Sequence, residues 1–211
     1  MLINNKGQRG DTIIEVLFAV TVFGLIAIGG ISLMSQGTAL AQRALEIGLV
    51  RQQMDAQADA LRYLNRAYIG DYGKNGAATA AWKQVAEAKV VDEALAFNTI
   101  AENNTCRLPN PGEMFALDIT KLGSNPLIVP TNDIATFAQV RYDSTGAHAE
   151  GVWIQAVRWP DGTTDSDTDP KPNSLKKPGY YDFHIRACWN SPGQERPVTL
   201  GTIVRLYEPR G

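Results

Sequence analysis

The pattern of apolar and polar positions divides the chain into stretches of different character. From Val16 to Met34 no residue carries a charge, about 19 positions in a row, and a helix of that length at ~1.5 Å per residue crosses most of the hydrocarbon core of a bilayer. Beyond Ser35 the pattern becomes that of an amphipathic helix. Leu40, Ile47, Met54, Leu61 and Tyr68 recur every seven residues, with Val50, Ala58 and Leu64 on the same side. Arg43, Glu46, Arg51, Asp55, Asp59 and Arg62 are assigned to the opposite, polar side. The stripe lacks a regular second apolar position, so it predicts packing on the chain's own domain rather than a coiled coil. Gly70 ends the helix. Gly29-Gly30 is the expected flexible point within it, unless these glycines, with Gly24, are simply tolerated in a membrane helix.

After a turn-rich connection over Asp71 to Gly76, the alanine-rich stretch from Ala77 to Phe97 predicts a second helix. Short apolar runs at Phe115 to Ile119 and Leu127 to Val129 predict small strands. The C-terminal half then takes on a period of two. Thr136 to Tyr142, a turn through Asp143-Ser144-Thr145-Gly146, and Gly151 to Trp159 read as antiparallel sheet. Tyr181, Phe183, Ile185, Ala187 and Trp189 alternate with Asp182, His184, Arg186 and Cys188, and after Ser191-Pro192-Gly193 the run Val198 to Tyr207 returns. The expected fold class is therefore α+β, a long N-terminal helix followed by a C-terminal antiparallel sheet.

With 211 residues, 44% hydrophobic and 20% charged, the chain supplies one globular domain beyond its N-terminal helix. A net charge of -2 offers no basic face for nucleic acid. The two histidines, His148 and His184, have no metal-ligand spacing and no nucleophile motif beside them; both read as surface residues, and no enzyme is expected. Asp165, Asp167 and Asp169 have the alternate spacing of the first three ligands of a calcium loop. Pro170 and Lys176 stand where that motif needs Gly and Glu, so calcium is the minority reading beside a solvated loop and no other cofactor is expected. Asn103-Asn104-Thr105 is a glycosylation-type sequon. Cys106 and Cys188, an even number on the side expected to lie outside the membrane, are expected to form a disulfide, the alternative being two buried thiols.

The start of the apolar run carries the most specific signal. Residues 1–10 include Lys6 and Arg9, no acid and no apolar run, which is the composition of a processing leader. Then follow Arg9-Gly10 and Asp11-Thr12-Ile13-Ile14-Glu15-Val16-Leu17-Phe18-Ala19-Val20. Thr12 and Glu15 form a capping box, which would start a helix here whatever its purpose. The stretch as a whole resembles the N-terminus of a type IV prepilin or pseudopilin. That resemblance implies cleavage by a prepilin peptidase between Gly10 and Asp11 and methylation of the new amine, with Glu15 as an assembly residue. The family mostly carries Phe where this chain has Asp11. It also implies a pilin-like division: leader 1–10, membrane-spanning half 11–34, amphipathic half 35–69 and head 70–211. The implied function is that of a structural subunit of a pilus or pseudopilus, held in the cytoplasmic membrane and then assembled with other pilin subunits into an extracellular filament. Two other readings stay open: a signal-anchored surface binding protein, and a secreted protein cut after Ala39-Leu40-Ala41, for which the apolar stretch is long.

Overall fold

The computed structural model describes residues 13–74, 76–87, 89–119, 122, 128–129, 139–143, 146–160, 179–191 and 193–209. Helix α1 runs unbroken over Ile13–Gly70, through Gly29-Gly30, and ends where the sequence places its stop. The chain divides into two compact units that meet within α1, between Gln42 and Arg43. In the first unit the described residues are helical throughout.

In the second unit the helix supplies one wall of a core. Val50, Met54, Ala58, Leu61, Leu64 and Tyr68 are buried, as the seven-residue stripe requires, whereas Leu40, at its head, is exposed and lies in the first unit. One assignment is corrected. Glu46 belongs to the buried face, not the polar one: steps of four, four, three and four residues link it to Val50, Met54, Gln57 and Leu61.

The sheet facing the helix has three antiparallel strands in the order β3 (Val152–Pro160), β4 (Gly179–Trp189) and β5 (Val198–Tyr207). On one side Ile154 lies opposite Ile185 and Ala156 opposite Phe183, and these pack with the helix stripe. An aromatic cluster seals the join. Trp82 stacks on Tyr68 at 5.4 Å between centroids and meets Tyr181 and Phe183 edge-on, bringing about 0.5–1.5 kcal/mol per pair beyond simple burial. Arg158 and Glu208 form a partly buried ion pair at 2.6 Å, and Gly179 N donates to the same carboxylate at 2.7 Å, fastening the end of β3 and the start of β4 to the chain's C-terminal segment.

The second helix is shorter than the alanine-rich pattern predicts. α2 covers Ala77–Trp82 and continues as a single π-helical turn over Lys83–Glu87. Val90 then bridges Ala156 in parallel, and Val91 N donates to Ala156 O at 2.8 Å. The β-branched pair Val90-Val91 is better spent covering the open edge of β3 than prolonging a helix. Phe115 pairs with Ile154 along the same edge, and Leu117 bridges Ile128, so the two short apolar runs act as isolated bridges. Phe97 opens a separate short helix, α3 (Phe97–Ile100).

The expected pairing of residues 136–142 with 151–159 is also corrected. A further strand intervenes: β1 (Gln139–Asp143) pairs with β2 (Gly146–Glu150) as its own two-stranded ladder. Gly151, at φ 136°, then redirects the chain into β3, a conformation that L side chains rarely adopt. Thr136 to Ala138 and the turn residues Ser144-Thr145 lie outside the described residues.

The alternating strand β4 is covered on both faces. Cys188 and Arg186, on the side read as polar, are buried, because residues 91–117 cross that face and form a second core of Ile100, Met114, Ala116, Trp153 and Cys188. The sheet is thus the middle layer between α1 and an irregular cover.

Candidate functional site

α1 is the only helix among the described residues long and apolar enough to cross a membrane by length and composition, and none of its most apolar window is buried. Leu17, Phe18, Phe23, Ile26, Ile31 and Met34 are all exposed. At about 25 cal/mol per Å² of apolar surface, such a stretch of large side chains demands a lipid or protein cover. Thr21 and Thr38 do not break the pattern: each hydroxyl donates back to the carbonyl three residues earlier, at 2.8 and 2.9 Å, removing its own need for water.

Glu15 sits in the first turn of this helix and is exposed. A carboxylate at a helix start is stabilised by the positive end of the helix dipole, by about 0.3–1 kcal/mol in water. In an apolar surrounding that term is far too small to offset the cost of burying a charge, several kcal/mol, so a bare Glu15 carboxylate is unfavourable wherever this segment is enclosed. Gly10 and Asp11, the expected processing site, and Thr12 of the capping box lie outside the described residues.

Cys106 and Cys188, 82 positions apart in sequence, are bonded to each other, with Cα atoms 5.7 Å apart. The bridge fastens the segment after α3 to the outer face of β4. Arg107 N donates to Ile100 O at 2.8 Å, tying the same segment back to the end of α3. Asp165, Asp167 and Asp169 lie outside the described residues. Among the described residues, no group of three or more His, Cys, Asp or Glu side chains is placed to hold a metal ion.

His184 is not the ordinary surface residue its strand position suggests. It is half-buried on the outer face of β4, Arg186 Nη2 lies 3.3 Å from its Nδ1, and burial, then the neighbouring guanidinium, lower its pKa below the usual imidazole value. His148 falls in β2, opposite Arg141. Sequence reasoning missed the polar side chains inside the helix–sheet layer. Gln57 Nε2 donates to Leu117 O at 2.8 Å while Leu117 N donates to Gln57 Oε1 at 2.9 Å, so one side chain satisfies both main-chain polar groups of Leu117. Asn65 Nδ2 donates to Tyr207 O at 3.2 Å. The available signal was their helical phase, since both lie on the stripe of Leu61 and Tyr68. The chain matches no protein-family model, no curated protein and no solved structure.

Proposed function

We propose that this chain is a structural subunit of a type IV pilus or pseudopilus, stored in the membrane through the first part of α1 and assembled into a filament by packing that part against the same segment of other subunits. The observation that carries this reading is one helix with two kinds of surface. Residues 13–34 expose nearly every large apolar side chain, whereas the same helix beyond Arg43 is built into an α+β head by a buried stripe. A membrane anchor alone needs only the first property. A subunit whose apolar segment must leave lipid and enter a protein core needs both, an apolar surface that suits lipid and neighbouring helices alike and a head that folds on its own core. The Arg9-Gly10 and Glu15 spacing supports the same reading, with a prepilin peptidase as the processing partner.

In this mechanism nothing is catalysed. Glu15 enters the filament core as a carboxylate and is neutralised by the N-terminal amine of a neighbouring subunit, which cleavage after Gly10 creates. Asp11 places a second carboxylate beside that amine, so this subunit fits a position with few axial neighbours, such as a filament tip. N-terminal sequencing and intact mass of the chain recovered from sheared filaments test the proposal. The expected product begins at Asp11 with a methylated amine. A chain that begins at Met1 and stays entirely in the membrane pool supports the signal-anchored binding protein instead.

A further inference from the structure

The outer face of the three-stranded sheet holds a cavity of about 460 Å³, within the range of small-molecule sites. Its floor follows from strand register. Val157 stands opposite Asp182, and Trp159, His184 and Arg186 share that face; Asp92, Glu93 and Ala94 line it from the crossing segment. The segment is held over the sheet by Leu95 N, which donates to Gln155 Oε1 at 2.9 Å.

The charges are arranged as a dipole. Arg205 takes both carboxylate oxygens of Asp182, at 2.7 and 2.8 Å, so that pair adds no net charge. Arg186 is only 6% exposed, its Nη1 has no hydrogen-bond acceptor among the described residues, and the Phe97 ring lies 4.8 Å from its guanidinium carbon. Its Nη2 can only donate, so His184 Nδ1 is the acceptor in their contact and the neutral ring carries its hydrogen on Nε2. The strand side therefore offers a cation and an imidazole N–H, while the crossing segment offers the exposed carboxylate of Glu93, with apolar surface from Val157, Ala94 and Trp159 between them.

We propose that this cavity binds a zwitterionic amino compound, a free amino acid or short peptide, with its carboxylate toward Arg186 and His184 and its ammonium toward Glu93. A simple anion meets repulsion at one end of the cavity and a simple cation at the other; a dipolar ligand is attracted at both. The carboxylate supplies the countercharge that the Arg186 guanidinium lacks among the described residues, and an aliphatic side chain covers the apolar wall. The inference rests on residues 92–205 and is independent of filament assembly.

The test is calorimetric titration of the full chain in detergent with leucine, the dipeptide Leu-Leu, its N-acetylated form, its C-terminal amide, and glucuronate. Saturable binding of Leu-Leu or leucine is expected, the tighter of the two identifying free amino acid or peptide as the source. Each cap should weaken binding by about tenfold or more, the scale of one charge-assisted hydrogen bond. Glu93 is exposed, so Glu93→Gln leaves the fold intact, and it should weaken the free peptide while leaving the N-acetylated form unchanged. Equal binding of capped and free peptides, binding of glucuronate alone, or no binding of either leucine or Leu-Leu at millimolar concentration overturns the proposal.

Discussion

Trp189 Nε1 donates a hydrogen bond of 3.1 Å to Oε2 of Glu46, joining the last residue of β4 to the helix 143 positions earlier. Ser191 Oγ donates to the same oxygen at 2.6 Å. Glu46 is 1% exposed, so this carboxylate and its donors are a buried polar cluster that fixes where the sheet sits along the helix.

Glu46→Ala is expected to destabilise the folded chain by about 3 kcal/mol, since it leaves the indole N–H and the Ser191 hydroxyl unpaired inside the protein. Glu46→Gln keeps an acceptor oxygen and should cost only about 1 kcal/mol. Urea unfolding in detergent followed by tryptophan fluorescence gives both values. Equal, negligible costs would show that the cluster contributes nothing.

Gln57 is matched to both polar groups of Leu117, one donated and one accepted bond. Gln57→Leu should cost about 1–3 kcal/mol, because the N–H and C=O of a fully covered residue lose their partners at once. Gln57→Glu should be comparably damaging, since a carboxylate cannot donate to Leu117 O. Amide hydrogen exchange at Leu117 would rise in the Leu variant, and by less in the Glu variant, which keeps an acceptor for that N–H.

The Cys106–Cys188 bridge closes a loop long enough that chain entropy assigns it roughly 4 kcal/mol. Reduction, or a Cys106→Ala/Cys188→Ala double change, should therefore lower stability by up to about this amount and release residues 95–117 from the outer face first. Limited proteolysis should cut within that segment before it cuts in β4. Two free thiols in exported protein, detected by alkylation and mass, would remove the bridge from the account.

His184 gives stability a pH dependence of defined sign. Burial, reinforced by Arg186, disfavours its charged form, so its folded pKa lies below the unfolded value of about 6.5. Between the two values the unfolded chain binds more protons, and stability falls as pH drops through that window. Above it the residue has no effect, and below the folded pKa the loss is complete. His184→Gln, whose side-chain oxygen still accepts from Arg186, should flatten the slope under pH 6.5 in denaturant titrations at a series of pH values.

Glu15→Gln and Glu15→Ala should leave folding and membrane insertion unchanged, because the residue is exposed in the first turn and far in sequence from the head. Both should lower the ratio of protein in sheared filaments to protein in membranes, while Asp11→Phe should preserve or raise it. Normal incorporation of the Glu15 variants would reduce that residue to a helix cap.

How much of this was readable from the chain depends on the range of the interaction concerned. The unbroken apolar run, the stop at Gly70, the stripe of Met54, Leu61 and Tyr68, and the alternation along β4 are set by neighbours within one or two turns or pleats, so sequence alone determined the helix, its buried face and the β4–β5 pairing. The side of Glu46 was also legible from its helical phase, although charge argued the other way. Tertiary structure decided the rest. Arg186 and Cys188 carry a polar-face pattern, yet they are buried because a segment about 80 residues earlier crosses over them, and no local period encodes that cover. Val90-Val91 left the alanine-rich helix because the edge of β3 offered hydrogen bonds that a further helical turn could not match. The cavity beside Trp159 exists only where the strand register and the returning segment coincide, since its cation and its exposed carboxylate come from parts of the chain about 90 residues apart.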